Sequence, residues 1–453
     1  MMMQRIVGRR TRSLTRLGQE SVPRAAKRTL ATKAYDWEET IDRKFTRSIK
    51  YDRYAVDRDR PEMRYKDVIP MWVADMDFRA PAPMLKALHE RIDHGIFGYT
   101  GPDYKVKNAI CDYHARVHGV EGVKAEHLVF LPGLVVGLNL LARMAARRNE
   151  ALMTATPVYP PFLSCAKNAE TGSVPVPLKW RDDVGHYSFD FDAMERAADA
   201  SLAGNQRVGV FVLCNPHNPM GHAYTREELK ALADFCMRRD IVVCADEIHC
   251  DLVLGEHRHV PFASVLSETQ GLERHLIAFH SPSKTYNLAG YSTSYAIIPG
   301  EDLRLRFKRE MPGITADITT LGYTVLEEAC ADREGGFATY RGELVSQIAS
   351  NVDRLRSFTE THLAPYIKFE HSQEATYLAW LDARELAAAT QARNVATWIE
   401  REAGVGLNDG APFGEGNMFQ GYVRMNLACP RATLDEGLDR LARAVESVRA
   451  KQA

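Results

Sequence analysis

Short apolar runs alternate with helical patterns between Leu128 and Ile298, and this alternation constrains the fold more than any other feature of the sequence. The apolar runs are nearly continuous, as in strands that are buried on both faces. Strands are predicted at "HLVFLPG" (127–133), "VGVFVLCNP" (208–216) and "IVVCADE" (241–247), and helices at "LVVGLNLLARMAARR" (134–148) and "YTREELKALADFCMRR" (224–239). We therefore predict an α/β fold whose mainly parallel sheet is covered by helices on both sides.

Four residues stand where predicted strands end, which is where sheets of this kind bind ligands. Gly133 follows one strand, Asn218 lies in the loop "CNPHNPMG" after another, and Asp246 closes a third. Lys284 lies in "HSPSKTYNLAG" (280–290), between two further apolar runs. Each residue also has an ordinary alternative role as a turn residue, a polar strand end or a solvated loop charge. Taken singly, none of them identifies a function.

Local chemistry suggests what three loops could do. Gly133 precedes a predicted helix, whose free N–H groups and dipole favour an anion such as phosphate. Each proline in "CNPHNPMG" restricts the residue before it, so the loop would hold the Asn218 amide rigidly. Tyr159 lies in the proline-stiffened "TPVYPPF" (156–162), where packing is the simpler role for an aromatic ring.

The stretch "DEIHCD" (246–251) contains several residue types that bind metals. If the strand continued beyond Asp246, neighbouring side chains would point to opposite faces of the sheet. Three ligands from this stretch would then not converge on one ion. We predict no metal site here.

The order of these elements carries more information than any one of them. A helix begun by glycine, an aromatic residue, an Asn-Pro loop, a strand-end aspartate and then Ser-x-Ser-Lys follow one another along the chain. This order resembles the fold-type I pyridoxal-phosphate (PLP) enzymes of the class I/II aminotransferase superfamily, and more narrowly the MalY/PatB group of cystathionine β-lyases. The resemblance spans about residues 36–448 and is carried by "VIPMWVADMDF" (68–78), "HGIFGYT" (94–100), "CNPHNPMG" (214–221), "ADEIHCD" (245–251), "SPSKTYNLAG" (281–290) and "VRMNLACPR" (423–431).

The resemblance implies two domains. Residues 89–334 would form the large PLP-binding domain with the mainly parallel sheet. Residues 35–88 and 335–453 would together form a smaller α+β domain. Helical patterns in the C-terminal third, with a strand predicted at "GYVRMNLAC" (421–429), agree with that assignment.

The same resemblance assigns roles around the cofactor ring. Lys284 would bond to the cofactor's aldehyde and, once the substrate amine displaces it, act as the general base for the Cα proton. Asp246 would pair with the pyridinium nitrogen. Asn218 would donate to the phenolic oxygen, with His249 near the same group, and Tyr159 would stack on the ring.

Further roles are implied for the phosphate and the substrate. The helix start at Gly133 would bind the phosphate through the N–H groups of Leu134 and Val135, together with the hydroxyls of Ser281 and Ser283. Tyr99 would reach the phosphate of the neighbouring subunit, which implies a homodimer. Arg424 would bind the substrate α-carboxylate. Many aminotransferases of this superfamily carry an arginine eight residues after the lysine, where this chain has Ser292.

The function implied is β-elimination of L-cystathionine or a related cysteine S-conjugate to a thiol, pyruvate and ammonia. A PLP-dependent aminotransferase is the first alternative, because it uses the same residues. A PLP-fold binding or regulatory protein is the second. A formal net charge of -1 indicates no nucleic-acid surface, and no apolar run reaches the roughly 18 residues of a membrane helix, so we expect neither partner.

The first 34 residues differ from the rest, with nine Lys or Arg and one acid, Glu20. A basic, acid-poor and amphipathic N-terminus is typical of a transit peptide, and its arginine content favours the mitochondrion over the plastid. A disordered basic tail on a cytoplasmic protein is the alternative. The eight scattered cysteines form no C-x-x-C pair, and we predict that they are reduced core residues.

Overall fold

The computed structural model describes residues 35–54, 67–182 and 185–452. The strands are β1 (Ile69–Pro70), β2 (Leu128–Leu131), β3 (Glu150–Thr156), β4 (Ser173–Pro177), β5 (Lys179–Arg181), β6 (His186–Ser188), β7 (Arg207–Cys214), β8 (Val242–Asp246), β9 (Leu276–His280), β10 (Ser294–Ile297), β11 (Leu378–Asp382), β12 (Val405–Gly406), β13 (Asn408–Asp409) and β14 (Tyr422–Asn426). The α-helices are α1 (Ile49–Asp52), α2 (Ala82–Asp93), α3 (Tyr104–His118), α4 (Leu134–Ala146), α5 (Pro161–Asn168), α6 (Phe191–Ala203), α7 (Arg226–Arg238), α8 (Glu301–Lys308), α9 (Thr320–Ala331), α10 (Gly336–Phe358), α11 (Arg384–Thr390), α12 (Val395–Ala403) and α13 (Arg431–Gln452).

A seven-stranded sheet has the strand order β2-β10-β9-β8-β7-β3-β4. Strand β10 is antiparallel to both of its neighbours, and the remaining pairs are parallel. The predicted mainly parallel sheet is therefore confirmed. Strand β7 shows why its sequence is continuously apolar, because Phe211 packs into the core on one face while Val210 and Val212 pack into the core on the other.

Helices cover both faces of this sheet. On one side the core contains residues of α4, α5 and α8, such as Leu138 and Phe162. On the other it contains residues of α3, α6 and α7, such as Ile110 and Leu232. Helix α7 begins at the predicted capping box, in which Thr225 and Glu228 satisfy each other's backbone N–H groups.

A separate three-stranded antiparallel sheet, β11-β14-β13, is formed by the C-terminal third. The segment near residue 70 joins it in space, because β1 pairs in parallel with β12 and Met71 packs against the C-terminal helices. The described residues from Tyr35 onward form one compact unit by their contacts. The limits at residues 88 and 334 therefore stay predictions, and the first of them falls inside α2.

The predicted transit peptide, residues 1–34, lies outside the described residues. Within the described part of the chain, no helix is both long enough and apolar enough to cross a bilayer. The eight cysteines are all free, and all except the half-buried Cys111 are buried. This placement agrees with their predicted role as core residues.

Candidate active site

One cavity lies at the carboxyl ends of β7, β8 and β9 and has a volume of about 240 Å³. Most of the residues predicted to form the site line it together. They are Gly133, Leu134, Val135, Tyr159, Asn218, Asp246, His249, Ser281, Ser283 and Lys284. Ser292, at the position where many aminotransferases of this superfamily carry an arginine, also lines this cavity.

Lys284 follows β9 and is buried. Its Nζ donates a 2.8 Å hydrogen bond to the backbone carbonyl of Ala74. Burial lowers the pKa of Lys284 to about 8, and the nearby charge of Arg424 acts in the same direction. An amine with this pKa is partly unprotonated near neutral pH, as a nucleophile and general base must be.

Asp246 ends β8 and is buried, and one of its carboxylate oxygens accepts a 3.2 Å hydrogen bond from the Ile248 N–H. Burial raises the pKa of Asp246 to about 7, against the opposing effects of that hydrogen bond and of Lys284. A cationic ring nitrogen beside this carboxylate would favour its ionised form. The carboxylate is thus suited to a pyridinium partner.

Of the three residues predicted to contact the cofactor ring, Tyr159 and Asn218 are held by hydrogen bonds. The backbone N–H of Tyr159 donates to the Asn218 carbonyl at 3.2 Å. The Asn218 side-chain oxygen accepts a hydrogen bond from Arg424 at 3.0 Å, which leaves the NH₂ group of the amide as its remaining donor. His249 is buried and its Nδ1 lacks a partner, while burial lowers its pKa to about 3, so that the ring is neutral.

The phosphate end is formed by the start of α4 and the loop around Ser281. Gly133 has φ of +108°, a conformation that favours glycine, and no side chain caps the first N–H groups of the helix. The Ser281 hydroxyl donates to the Thr293 carbonyl at 2.7 Å and accepts from the Ser283 N–H at 3.1 Å. Ser281 therefore also holds the loop in shape. An anion here would be met mainly by N–H groups and hydroxyls.

Arg424 lies on β14 and is buried. Its Nη2 donates to the Asn408 side chain at 2.7 Å and to the Trp72 carbonyl at 3.1 Å, while its Nε lacks a partner. No carboxylate of the described residues forms a salt bridge with this guanidinium. Burial lowers its pKa to about 10, so it stays charged at neutral pH. A buried, unneutralised guanidinium is a suitable partner for a substrate carboxylate.

Tyr99 does not line the cavity of its own chain, because its side chain is fully exposed to solvent. Its contact with the phosphate of a neighbouring subunit stays a prediction.

Several residues that shape the site had no assigned role. Ala74 and Trp72 act through their carbonyl groups, Asn408 holds Arg424, and the Asn426 side chain donates to two carbonyls of residues 73–75. Trp72, Ala74 and Asn426 belong to motifs that carry the family resemblance, and this membership was the one indication in the sequence that they lie near the site. Contacts made through backbone groups do not depend on residue type, so the individual partners could not be assigned from the sequence.

After Asp246 the chain forms a turn through Asp251 and does not continue as a strand. The alternation of side chains in a strand therefore does not apply to residues 247–251. His249 faces the cavity, whereas Cys250 and Asp251 lie outside it.

The side chains of this cavity fit PLP. The unpartnered Nδ1 of His249, the Asp246 carboxylate and the free donor of Asn218 offer partners for a polar aromatic ring, and the capless helix start offers one for a phosphate. A buried lysine beside a strand-end aspartate and a phosphate cradle defines a PLP-dependent enzyme of fold type I.

Comparison with known proteins gives the family. The profile described as "Aminotransferase class I and II" matches residues 66–441. Cystathionine beta-lyase PatB of Bacillus subtilis (strain 168) is 34% identical over 403 residues, covering 88% of this chain and 97% of PatB. The chain belongs to the class I and II aminotransferase family and, within it, to the MalY/PatB group.

Two solved structures are similar over most of the chain. The crystal structure of OvoB has a TM-score of 0.79 and 34% identity, and covers 91% of this chain and 100% of OvoB. The PLP-bound C-S lyase from Staphylococcus hominis has a TM-score of 0.80 and 28% identity, and covers 91% of this chain and 99% of that one. The fold and the cofactor predicted from the sequence are confirmed.

Proposed function

We propose that this enzyme is a PLP-dependent carbon–sulfur β-lyase acting on L-cystathionine or a related cysteine S-conjugate. The reaction cleaves the Cβ–S bond and, with one water, yields a thiol, pyruvate and ammonia. The relatives named cystathionine beta-lyase and the C-S lyase structure support this activity.

One observation carries the proposal. The segment "WVADMDF", by which the sequence resembles the lyase group, lies directly on the two central side chains of the site. Lys284 Nζ donates to the Ala74 carbonyl, and Arg424 Nη2 donates to the Trp72 carbonyl. The group-specific segment thus borders both the predicted base and the predicted carboxylate-binding residue.

This segment is held in place on both sides. The Asn287 side chain donates to the carbonyls of Met76 and Phe78 and accepts from the Met76 N–H. The buried Lys50 ammonium donates to Asp77 at 2.8 Å. Because these bonds hold the segment, its carbonyl groups keep their positions whether or not a substrate is bound.

Each residue then has a defined part in the elimination. Arg424 binds the α-carboxylate and so orients the Cα–H bond. Lys284, with its lowered pKa, removes the Cα proton and can return it to the departing thiolate. PLP, when bound, supplies the electron sink that makes this proton acidic. Asp246 holds the charge on the ring nitrogen on which that sink depends.

Arg424 lines a second cavity of about 360 Å³, which shares Tyr159 with the first cavity. Polar and charged side chains line it, among them Arg53, Asn394 and Glu400. The distal end of cystathionine is itself an amino acid, so this space suits its charged groups. A simple alkyl side chain would gain less from such a lining.

An assay on two substrate classes tests the activity. Cystathionine should release pyruvate and homocysteine in equal amounts, and Lys284→Ala should abolish both. The aminotransferase alternative predicts keto-acid exchange with common amino acids and no thiol. Exchange that is faster than pyruvate release would overturn the lyase assignment.

A homodimer that completes the site is part of the proposal. Large apolar side chains are exposed along one short region of the described chain, residues 92–104, and include Ile92, Ile96, Phe97, Tyr99 and Tyr104. Such a patch suits a protein interface. The patch includes Tyr99, which the family resemblance assigns to the partner's phosphate.

We also propose that residues 1–34 direct the enzyme to mitochondria, on the strength of their nine basic residues and single acid. A fluorescent protein fused to these residues should enter mitochondria, and the enzyme beginning at Tyr35 should fold and bind PLP like the full chain. A plastid or cytoplasmic signal from the fusion would refute this location.

A further inference from the structure

A cluster of histidines is buried on the side of the turn after β8 that faces away from the cofactor cavity. His114 and His118 come from α3, His259 from the loop before Phe262, and His280 from the end of β9. Neighbouring rings are packed edge to face, with centroids 4.5 Å apart for His114 and His280 and 5.7 Å apart for His118 and His259. None of these side chains lines the cavity that contains Lys284.

The cluster contains an unusual number of buried polar atoms without a hydrogen-bond partner. They are His118 Nε2, His259 Nδ1 and Nε2, His280 Nδ1 and Glu247 Oε2. Buried polar groups are nearly always paired, and an unpaired one costs about 1–3 kcal/mol. So many unpaired atoms in one place indicate a missing partner.

Two further residues bring ligand atoms to the same place. A ring nitrogen of His118, the thiol of Cys250 and a carboxylate oxygen of Asp251 lie within 4.8 Å of one another. His118 Nε2 is 3.5 Å from Asp251 Oδ1. The turn after Asp246 makes this possible, because it places Cys250 and Asp251 beside the end of α3.

We propose that this cluster binds one divalent transition-metal ion, of which Zn²⁺ is the best match, with His118, Cys250, Asp251 and His259 as its ligands. Zn²⁺ binds thiolate, imidazole and carboxylate groups, and structural zinc sites almost always have four protein ligands. Two imidazoles bound to one tetrahedral ion have ring centres about 5 Å apart, given Zn–N distances near 2 Å. The 5.7 Å between His118 and His259 requires only a small approach.

The surroundings of the ligands fit this role. Glu247 Oε2 lies between two imidazoles, 3.4 Å from His280 Nε2 and 3.7 Å from His259 Nε2, and this leaves Nδ1 of His259 for the ion. Metal-bound histidines usually give their second nitrogen to such a carboxylate. Glu247 is itself fixed, because its other oxygen accepts the Phe262 N–H at 2.6 Å.

Asp251 is fixed as well. It accepts hydrogen bonds from the Tyr113 hydroxyl at 2.5 Å and from the Thr285 hydroxyl at 3.1 Å. Arg341 lies 3.5 Å from the same carboxylate and would oppose a cation. The formal charges of the cluster nevertheless sum to zero, because the thiolate, Asp251 and Glu247 carry three negative charges against the two of the ion and the one of Arg341.

The ion would be structural. It would tie α3 to the turn that begins at Asp246, and Thr285, which holds Asp251, is the residue after Lys284. The Cys250 thiol would release its proton to water on binding the ion, because the thiolate is the form that binds metals.

Metal content of the purified holoenzyme tests the proposal. After equilibration with Zn²⁺ and removal of loose metal, the wild type should hold about one ion per chain by elemental mass spectrometry. Cys250→Ser should lose it. Cys236→Ser is the matched control, because Cys236 is equally buried but lies on α7, and it should keep the ion. The visible absorbance of bound PLP shows that each variant is folded.

Two additional readouts separate a true site from chance binding. Replacement of Zn²⁺ by Co²⁺ should give a thiolate-to-cobalt absorption in the wild type and in Cys236→Ser, but not in Cys250→Ser. Glu247→Gln should keep the ion but bind Zn²⁺ about 10–100-fold more weakly. A folded wild-type enzyme without Zn²⁺ after loading, or a Cys250→Ser variant that retains it, would overturn the proposal.

Discussion

Arg424 Nη1 donates a 3.0 Å hydrogen bond to the side-chain oxygen of Asn218, which joins β14 to the loop after β7 across 206 positions of the chain. The residue predicted to bind the substrate carboxylate thereby also sets the orientation of the amide predicted to contact the cofactor. With its oxygen engaged, the Asn218 amide can offer its NH₂ group to the phenolic oxygen of PLP. In the proposed reaction, this one bond would couple substrate binding to the orientation of the cofactor.

Arg424→Ala should lower kcat/KM for cystathionine by at least ten- to a hundredfold. A charge-assisted hydrogen bond of this kind is worth about 1.5–3 kcal/mol. The loss should appear mainly in KM, because the proposed contact of Arg424 with the carboxylate would be made in the ground state and in the transition state alike. Steady-state kinetics check this, with Arg443→Ala on the exposed face of α13 as the control. An unchanged KM in Arg424→Ala would remove this residue from carboxylate binding.

Lys284→Ala should lose the covalent attachment of PLP. Borohydride treatment of the wild type should fix the cofactor to the peptide that contains Lys284, as read by peptide mass spectrometry. Lys230→Ala provides a lysine control, because the Lys230 side chain is partly exposed on the outer face of α7, and this variant should behave like the wild type. Reduced cofactor found on a different lysine of the wild type would show that the assignment is wrong.

Asp246→Asn should retain the fold and the cofactor but lose most of its turnover. A neutral amide does not hold the proton on the ring nitrogen, and each pKa unit lost there costs about 1.4 kcal/mol. Turnover on cystathionine and the PLP spectrum should be measured on the same preparation. Near wild-type turnover would show that Asp246 does not govern the electron sink.

Much of the site could be predicted because strand ends carry a sequence signal. Asp246 and Lys284 each follow a continuous apolar run, and parallel strands place such ends at one edge of the sheet. The antiparallel direction of β10 within the seven-stranded sheet carries no comparable signal, because the residues of β10 are as apolar as those of the parallel strands.

Contacts between residues that lie far apart in the chain could not be predicted from the sequence. Lys284 Nζ donates a hydrogen bond to the backbone carbonyl of Ala74, 210 positions earlier. Every residue type has such a carbonyl, so the sequence does not mark this partner. The histidine cluster was missed for a related reason. Asp251 meets His118 from a distant helix, and the local prediction depended on a strand where the chain in fact turns.

His222 should make stability depend on pH. Burial alone would lower its pKa, but hydrogen bonds to Glu228 at 3.1 Å and Glu374 at 2.7 Å raise the pKa to about 9. Because this value lies above the ordinary 6.5, the stabilisation is complete below about pH 6.5 and is lost as the pH rises through about 9.

The Tm of the wild type should therefore fall between pH 6.5 and 9 more steeply than that of His222→Gln, for which this contribution is absent. His89→Gln, at an exposed position, serves as the control and should follow the wild type. Thermal unfolding of the holoenzyme at several pH values gives both slopes. Parallel curves for the wild type and His222→Gln would contradict the effect.

Tyr99 allows a test of the dimer through two inactive variants. Lys284→Ala lacks the base, and Tyr99→Phe should lose cofactor affinity if its hydroxyl binds the partner's phosphate. In a mixed dimer, one site then carries both defects and the other carries neither. Random pairing makes about half of all dimers mixed, so about a quarter of the wild-type activity should return on co-expression.

Separate affinity tags on the two variants isolate the mixed dimer, which should have about half of the wild-type activity. Co-expression of Lys284→Ala with Asp246→Asn is the matched control. Both of those residues line the cavity of their own chain, so a mixed dimer of these two variants has a defect in each site. If Tyr99→Phe proves active by itself, Tyr99→Ala replaces it. A verified mixed dimer that stays inactive, from two inactive parents, would mean that each subunit builds its site without the other.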